Sequence, residues 1–135
     1  MNTFDKLLQA DKSRAEELQT AVFKSKRLAF ILGESEPVDV TYRALTTREI
    51  QYFNEYMTNS KGEVNQHRVI DGNTMICAKA IQDPDINDQK LVEHFGAKST
   101  NDLCEKLFQM EAATIAAKVM ELSGATDDAE DEIKN

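Results

Sequence analysis

Apolar positions in this chain follow a helical period in some stretches and a strand period in others. In "TFDKLLQA", residues 3–10, Phe4, Leu7 and Leu8 fall on one helical face, with Asn2 or Thr3 as cap, which predicts a short first helix. A polar stretch containing Glu16, Glu17 and Leu18 follows. Beyond it "KRLAFIL" is continuously apolar, and "PVDVTYRAL" alternates Val38, Val40 and Tyr42 against Asp39, Thr41 and Arg43. Period two is the mark of a strand with one buried face. Gly33 lies between the two runs, so the pattern predicts a β-hairpin over residues 26–45 turning at that glycine. A two-stranded hairpin is marginal alone and needs a helical layer beneath it.

The following segments supply that layer. Thr46-x-x-Glu49 fits a capping box and opens a helix with Ile50, Phe53 and Met57 on its apolar face, flanked by Tyr52 and Tyr56 and stopped near Gly62. "DGNTMICAKAIQ" predicts a second, with Met75, Ile76, Ala80 and Ile81 inward, closed by Asp83-Pro84. "DQKLVEHF" gives a third, ended by Gly96, and Ser99-x-x-Asp102 opens a fourth through Leu103, Cys104, Leu107 and Phe108. In "MEAATIAAKVMEL" Ile115, Val119 and Leu122 recur at helical spacing up to Gly124; the stripe changes phase near Gln109, which predicts two helices here and not one. The fold class read from these elements is α+β, mainly α-helical: a small single domain over 1–124 of five to six helices with one β-hairpin in the N-terminal third.

The chain has 135 residues, 41% hydrophobic, enough for one modest core. Its net charge of −8 argues against a nucleic-acid backbone as partner, since that requires clustered Lys and Arg. The last nine residues, "DDAEDEIKN", hold five acids and one lysine, and 125–135 reads as a mobile acidic tail. There is no apolar run of membrane-spanning length and no signal-peptide pattern, so a cytoplasmic location and no membrane partner are expected. Cys77 and Cys104 stand apart, without CxxC spacing, and read as small buried hydrophobes.

"DPDINDQKLVEH", residues 83–94, invites a calcium reading, because Asp83, Asp85 and Asn87 alternate as loop positions 1, 3 and 5. Position 6 is Asp88 where the calcium loop requires glycine, position 12 is His94 where it requires glutamate, and Pro84 stiffens position 2. Capping accounts for the same residues with no cation, Asp85 or Asn87 serving as the cap of the next helix. No cofactor and no metal are therefore assigned.

Catalytic chemistry is sparsely supplied. His67 and His94 are the only histidines, no nucleophile elbow or zinc-binding HExxH is present, and five glycines build no phosphate loop. The chain reads as a non-catalytic interaction protein, with soft methionines and an alanine-rich last helix suited to close approach of another helix. Ile115, Val119 and Met120, together with the edge of the 26–45 hairpin, are the candidate partner-binding positions. Two other readings fit parts of the sequence: an acidic regulatory inhibitor of a basic partner, and a metal-binding module at 83–94.

Three blocks, in this order, resemble the tail assembly chaperones of long-tailed phages and prophages. They are "SKRLAFILGESEPVDVTYRALTTREI", "IQDPDINDQKLVEHFG" and "LCEKLFQMEAATIAAKVMELSG", together spanning roughly residues 22–124. The segment "NSKGEVNQHRVIDG" is shorter than its counterpart in that family. The resemblance implies a non-catalytic protein that binds the tape measure protein, keeps it soluble and helps the major tail tube protein polymerise around it. It also implies self-association, a place in the host cytoplasm, and absence from the finished virion.

Overall fold

The computed structural model describes residues 2–125. Its elements are α1 (Thr3–Gln9), a 3₁₀ turn (Lys12–Ala15), β1 (Thr20–Ser25), α2 (Lys26–Leu32), β2 (Val38–Arg43), α3 (Thr47–Met57), α4 (Gln66–Ala80), β3 (Ile81–Asp83), α5 (Gln89–His94), α6 (Thr100–Phe108) and α7 (Glu111–Leu122). The class is the expected one, α+β and mainly helical. Among the described residues it holds seven α-helices and one three-stranded antiparallel sheet in the order β1-β2-β3. The tail expected from 125 lies, from residue 126 on, outside the described residues.

The seventh helix is the expected hairpin's first strand. "KRLAFIL" is α2, and the strand that pairs with β2 lies upstream, Thr20 opposite Arg43 through to Ser25 opposite Val38. A continuous apolar run is compatible with a buried strand or a helix, and here the ends decide. Ser25 caps α2 through its hydroxyl, which accepts from the Leu28 N–H at 3.0 Å. At the other end Gly33 takes φ 71°, and the Gly33 and Glu34 N–H groups return to the Phe30 and Ala29 carbonyls. Gly33 thus closes a helix instead of turning a hairpin.

The remaining helices follow the sequence with shifted ends. The Thr46–Glu49 capping box forms in full. α4 starts at Gln66, earlier than its apolar pattern suggests, because Asn65 caps it; Ile81 leaves the helix for β3 against β2. α5 is capped by Asp88, whose carboxylate accepts from the Lys90 N–H at 2.9 Å, and not by Asp85 or Asn87. Asp85 instead accepts from the Asn87 N–H, and Asn87 donates to the Ala78 carbonyl. α6 and α7 are separate, broken at Gln109 with φ 52°.

One core joins these elements. It runs from Leu28, Val40, Tyr42 and Leu45 through Phe53, Ile76 and Cys77 to Leu103, Phe108, Ile115 and Val119. Ile86, fully buried in the loop after β3, is a core residue that the polar character of "DPDIND" conceals.

Candidate interaction surface

Ile115 and Val119 are fully buried, on the face of α7 that packs into the core, and Met120 is half-buried beside them. The i, i+4 spacing that singled them out is the spacing of the inward face, so the first two are closed to a partner while the fold is intact. The hairpin edge shifts in the same way: the outer strand is β1, where Val22 is exposed and Phe23 half-buried.

The apolar surface left open lies elsewhere. On α1 no residue is buried, and Phe4, Leu7 and Leu8 are 68%, 69% and 72% exposed. This is an amphipathic turn whose apolar face has found nothing within the described residues to cover it. Asn2 holds it in register by accepting from the Asp5 N–H. Smaller apolar contributions come from Phe30 and Leu32 on α2, Ile70 on α4 and Met110 at the α6–α7 break. Single exposed apolar residues are ordinary on a protein surface, whereas three on one face of a helix, as on α1, form the kind of patch that marks an interaction site.

Two polar assemblies hold the body that carries α1. In the first, the Glu111 carboxylate at the start of α7 accepts from the Ser25 hydroxyl (2.6 Å), the Lys26 N–H (3.0 Å) and the Arg27 N–H (3.1 Å). With Ser25 receiving Leu28, three of the unpaired N–H groups at the start of α2 are satisfied. Arg27 then reaches the Lys106 carbonyl at the end of α6. In the second, Glu49 accepts both guanidinium bonds of Arg43 at 2.9 and 3.0 Å and the Thr46 N–H at 2.9 Å. The Arg43 hydrogen bonds lower the Glu49 pKa to about 2 against the resisting effect of burial. Both assemblies serve structure, because their acceptors are already occupied.

Between α3 and α4 lies an open cleft of about 570 Å³. Tyr52, Phe53, Met75 and Ala78 line it with apolar surface, alongside the charged Arg48, Glu49 and Lys79. It has no arrangement of nucleophile, base and oxyanion donors. The histidines add none: both are exposed, and the His94 ring packs edge-on against Phe95. Among the described residues no three His, Cys, Asp or Glu side chains gather as a metal site, and the carboxylates of Asp85 and Asp88 are engaged in turn and cap bonds. Cys77 and Cys104 are fully buried, and Cys77 donates to the Ala112 carbonyl at 3.3 Å. The neighbouring Cys104 thiol and burial together push the Cys77 thiol above its ordinary pKa, away from the reactive thiolate. No described helix is long and apolar enough to cross a membrane.

These features describe a small, mainly helical α+β domain with exposed apolar surface on α1. The chain belongs to the phage XkdN-like tail assembly chaperone family, whose model matches residues 4–135. Its fold is similar to that of the crystal structure of the protein yqbn, with a TM-score of 0.54 at 17% identity, covering 80% of this chain and 88% of that one. No curated protein matches the sequence. The family match extends over the N-terminal helix, which lies before the first of the blocks that carry the resemblance in sequence.

Proposed function

We propose that this protein chaperones the tape measure protein of a long phage tail: it covers apolar stripes on that helical polypeptide, keeps it soluble in the host cytoplasm, and promotes polymerisation of the major tail tube protein around it. The observation that carries this reading is the unpartnered face of α1. Phe4, Leu7 and Leu8 present the spacing with which one helix lies along another, and the chain's charge of −8 keeps such a complex dispersed. Membership of a tail assembly chaperone family supports it. Several copies act on one long substrate, which accounts for an expected self-association, and the protein leaves before the virion is complete.

The test is co-expression with the long helical protein encoded beside it. The chaperone reading predicts that the partner moves from the pellet to the soluble fraction and co-purifies with this chain. If the partner stays insoluble while this chain is folded and abundant, the reading is wrong.

A further inference from the structure

We infer that two copies of this chain pair through the free edge of β1, strand against antiparallel strand, about a twofold axis at Val22. Among the described residues β1 has β2 as its one neighbour in the sheet, so its other side is an edge. The phase of the ladder follows from the Ala44 N–H, which donates to the Gln19 carbonyl at 2.7 Å just ahead of the strand. Residues of an antiparallel strand alternate in the side to which their N–H and C=O groups turn, so those of Ala21, Phe23 and Ser25 face β2 and those of Thr20, Val22 and Lys24 face away from it. Among the described residues no backbone hydrogen bond outside the ladder engages the second set, and all three residues are exposed.

The two edges of the sheet are treated differently. β3 is three residues long, its pairing with β2 is interrupted by a register shift at Thr41 and Tyr42, and Pro84, which has no N–H, follows it. β1 is twice that length, pairs with β2 in unbroken register and contains no proline. Its one charged residue, Lys24, which would ordinarily discourage edge pairing, is held in an ion pair by Asp39 of β2.

A second copy is the occupant because the free groups are complementary to themselves. Placing Val22 opposite Val22 of the second copy sets Thr20 opposite Lys24 of that copy, and Lys24 opposite its Thr20. This antiparallel register uses the free N–H and C=O of all three residues and makes about six inter-strand bonds. It places the two valines side by side on the outer face. On the face toward the core it sets the half-buried Phe23 against the small Ala21 of the other copy, in the pairs where side chains lie closest. The two lysines fall at opposite ends of the contact, each beside its own Asp39. The pairing involves no other protein, so it stands apart from the chaperone reading, while giving the self-association expected there a place in the fold.

Sedimentation of the purified full chain tests it, in about 0.15 M NaCl, where charges more than about 8 Å apart are screened. A strand-edge contact is small, so the mass should climb from one chain toward two between about 5 and 500 μM. Val22→Lys and Val22→Glu, at an exposed position, should each melt like the wild type yet stay at the mass of one chain, because each sets like charges opposite one another. An equimolar mixture of the two variants should associate again, since only a register that brings residue 22 to itself turns both repulsions into one attraction. Amide exchange gives a readout on the wild type that requires no variant to associate. At about 500 μM the Thr20 and Lys24 amides should exchange at least ten-fold more slowly in the wild type than in Val22→Lys, with Ala21 and Phe23 protected in both. A wild type that keeps the mass of one chain throughout would overturn the inference. So would association that both variants retain, association with no slowing at Thr20 and Lys24, or a mixture of the variants that stays monomeric. Slowing that arises only when another protein is added would overturn it in favour of that protein's strand.

Discussion

The Ser25 hydroxyl donates to the Glu111 carboxylate across 2.6 Å, joining two residues 86 positions apart in the chain. Ser25 is fully buried at the end of β1, and Glu111 opens α7, where a negative charge also suits the helix dipole. One carboxylate thereby caps α2 and fastens it to the C-terminal helix pair. The first and third sequence blocks that resemble the chaperone family meet at this contact.

Removing it should destabilise the fold from both sides. Glu111→Ala leaves the Lys26 and Arg27 N–H groups and the Ser25 hydroxyl without their acceptor, at an expected cost of about 2–3 kcal/mol, and Ser25→Ala about 1–2 kcal/mol. Because the two share one hydrogen-bond network, the double variant should cost less than the sum by about 1 kcal/mol. Urea unfolding of the four proteins measures this directly. Additive effects would mean that the two residues do not act together.

Glu49 predicts a pH dependence. Its folded-state pKa is about 2 against an ordinary value of 4.5, so its contribution is fully present above about 4.5 and is lost as pH falls through 2. Glu49→Gln should therefore lower the melting temperature at neutral pH, by an amount corresponding to about 1–3 kcal/mol, and the gap from the wild type should close between pH 4.5 and 2. A gap that is unchanged at pH 2 would remove Glu49 as its source.

Much of the fold was legible because its signals are local. The Thr46–Glu49 box, Gly96 and Gly124 mark helix ends through side-chain oxygens and left-handed glycines, which a sequence displays. What was concealed depends on contacts distant in sequence. "KRLAFIL" looks like a strand until Glu111 is brought to its start, although Ser25 ahead of Leu28 was a readable cap. Within "DPDIND" the competition among Asp85, Asn87 and Asp88 for the cap is settled by where Ile86 is buried and by Asn87 reaching Ala78. The burial of two of the candidate partner-binding residues was concealed for a related reason. Apolar periodicity identifies a face but not whether the protein covers it, so it selected Ile115 and Val119, which the core buries, while α1, equally periodic, stayed open.

That contrast can be measured. Ile115→Ala should cost about 2–5 kcal/mol, and Val119→Asp, which places a charge at a fully buried position, should unfold the protein. Leu7→Asp and Leu8→Asp, each on an open surface, should change stability by about 0.5 kcal/mol or less. Thermal melts of the set distinguish core from surface, and a large loss at Leu7 would show that α1 packs on the body.

Gly72 marks a close helix approach. A Cβ there would lie 2.5 Å from the Met57 sulfur and 2.6 Å from its Cγ, so the Met57 side chain at the end of α3 fills the space beside the α4 backbone and must move if a Cβ is added. Ala is favoured over Gly within a helix by about 1 kcal/mol, but overpacking costs about 1–3 kcal/mol. Gly72→Ala should thus be less favourable in the wild-type background than in a Met57→Ala background, where it should be stabilising. Equal effects in both backgrounds would contradict the contact.

In the function proposed above, the open face of α1 covers apolar helix on the tape measure protein. The most direct test dilutes that protein from denaturant into buffer containing the purified chain and follows light scattering. The wild type should suppress aggregation in proportion to its concentration, and Leu7→Asp with Leu8→Asp, folded to the same melting temperature, should lose at least ten-fold in potency. Equal suppression by wild type and variant would contradict the account and place the contact on another face.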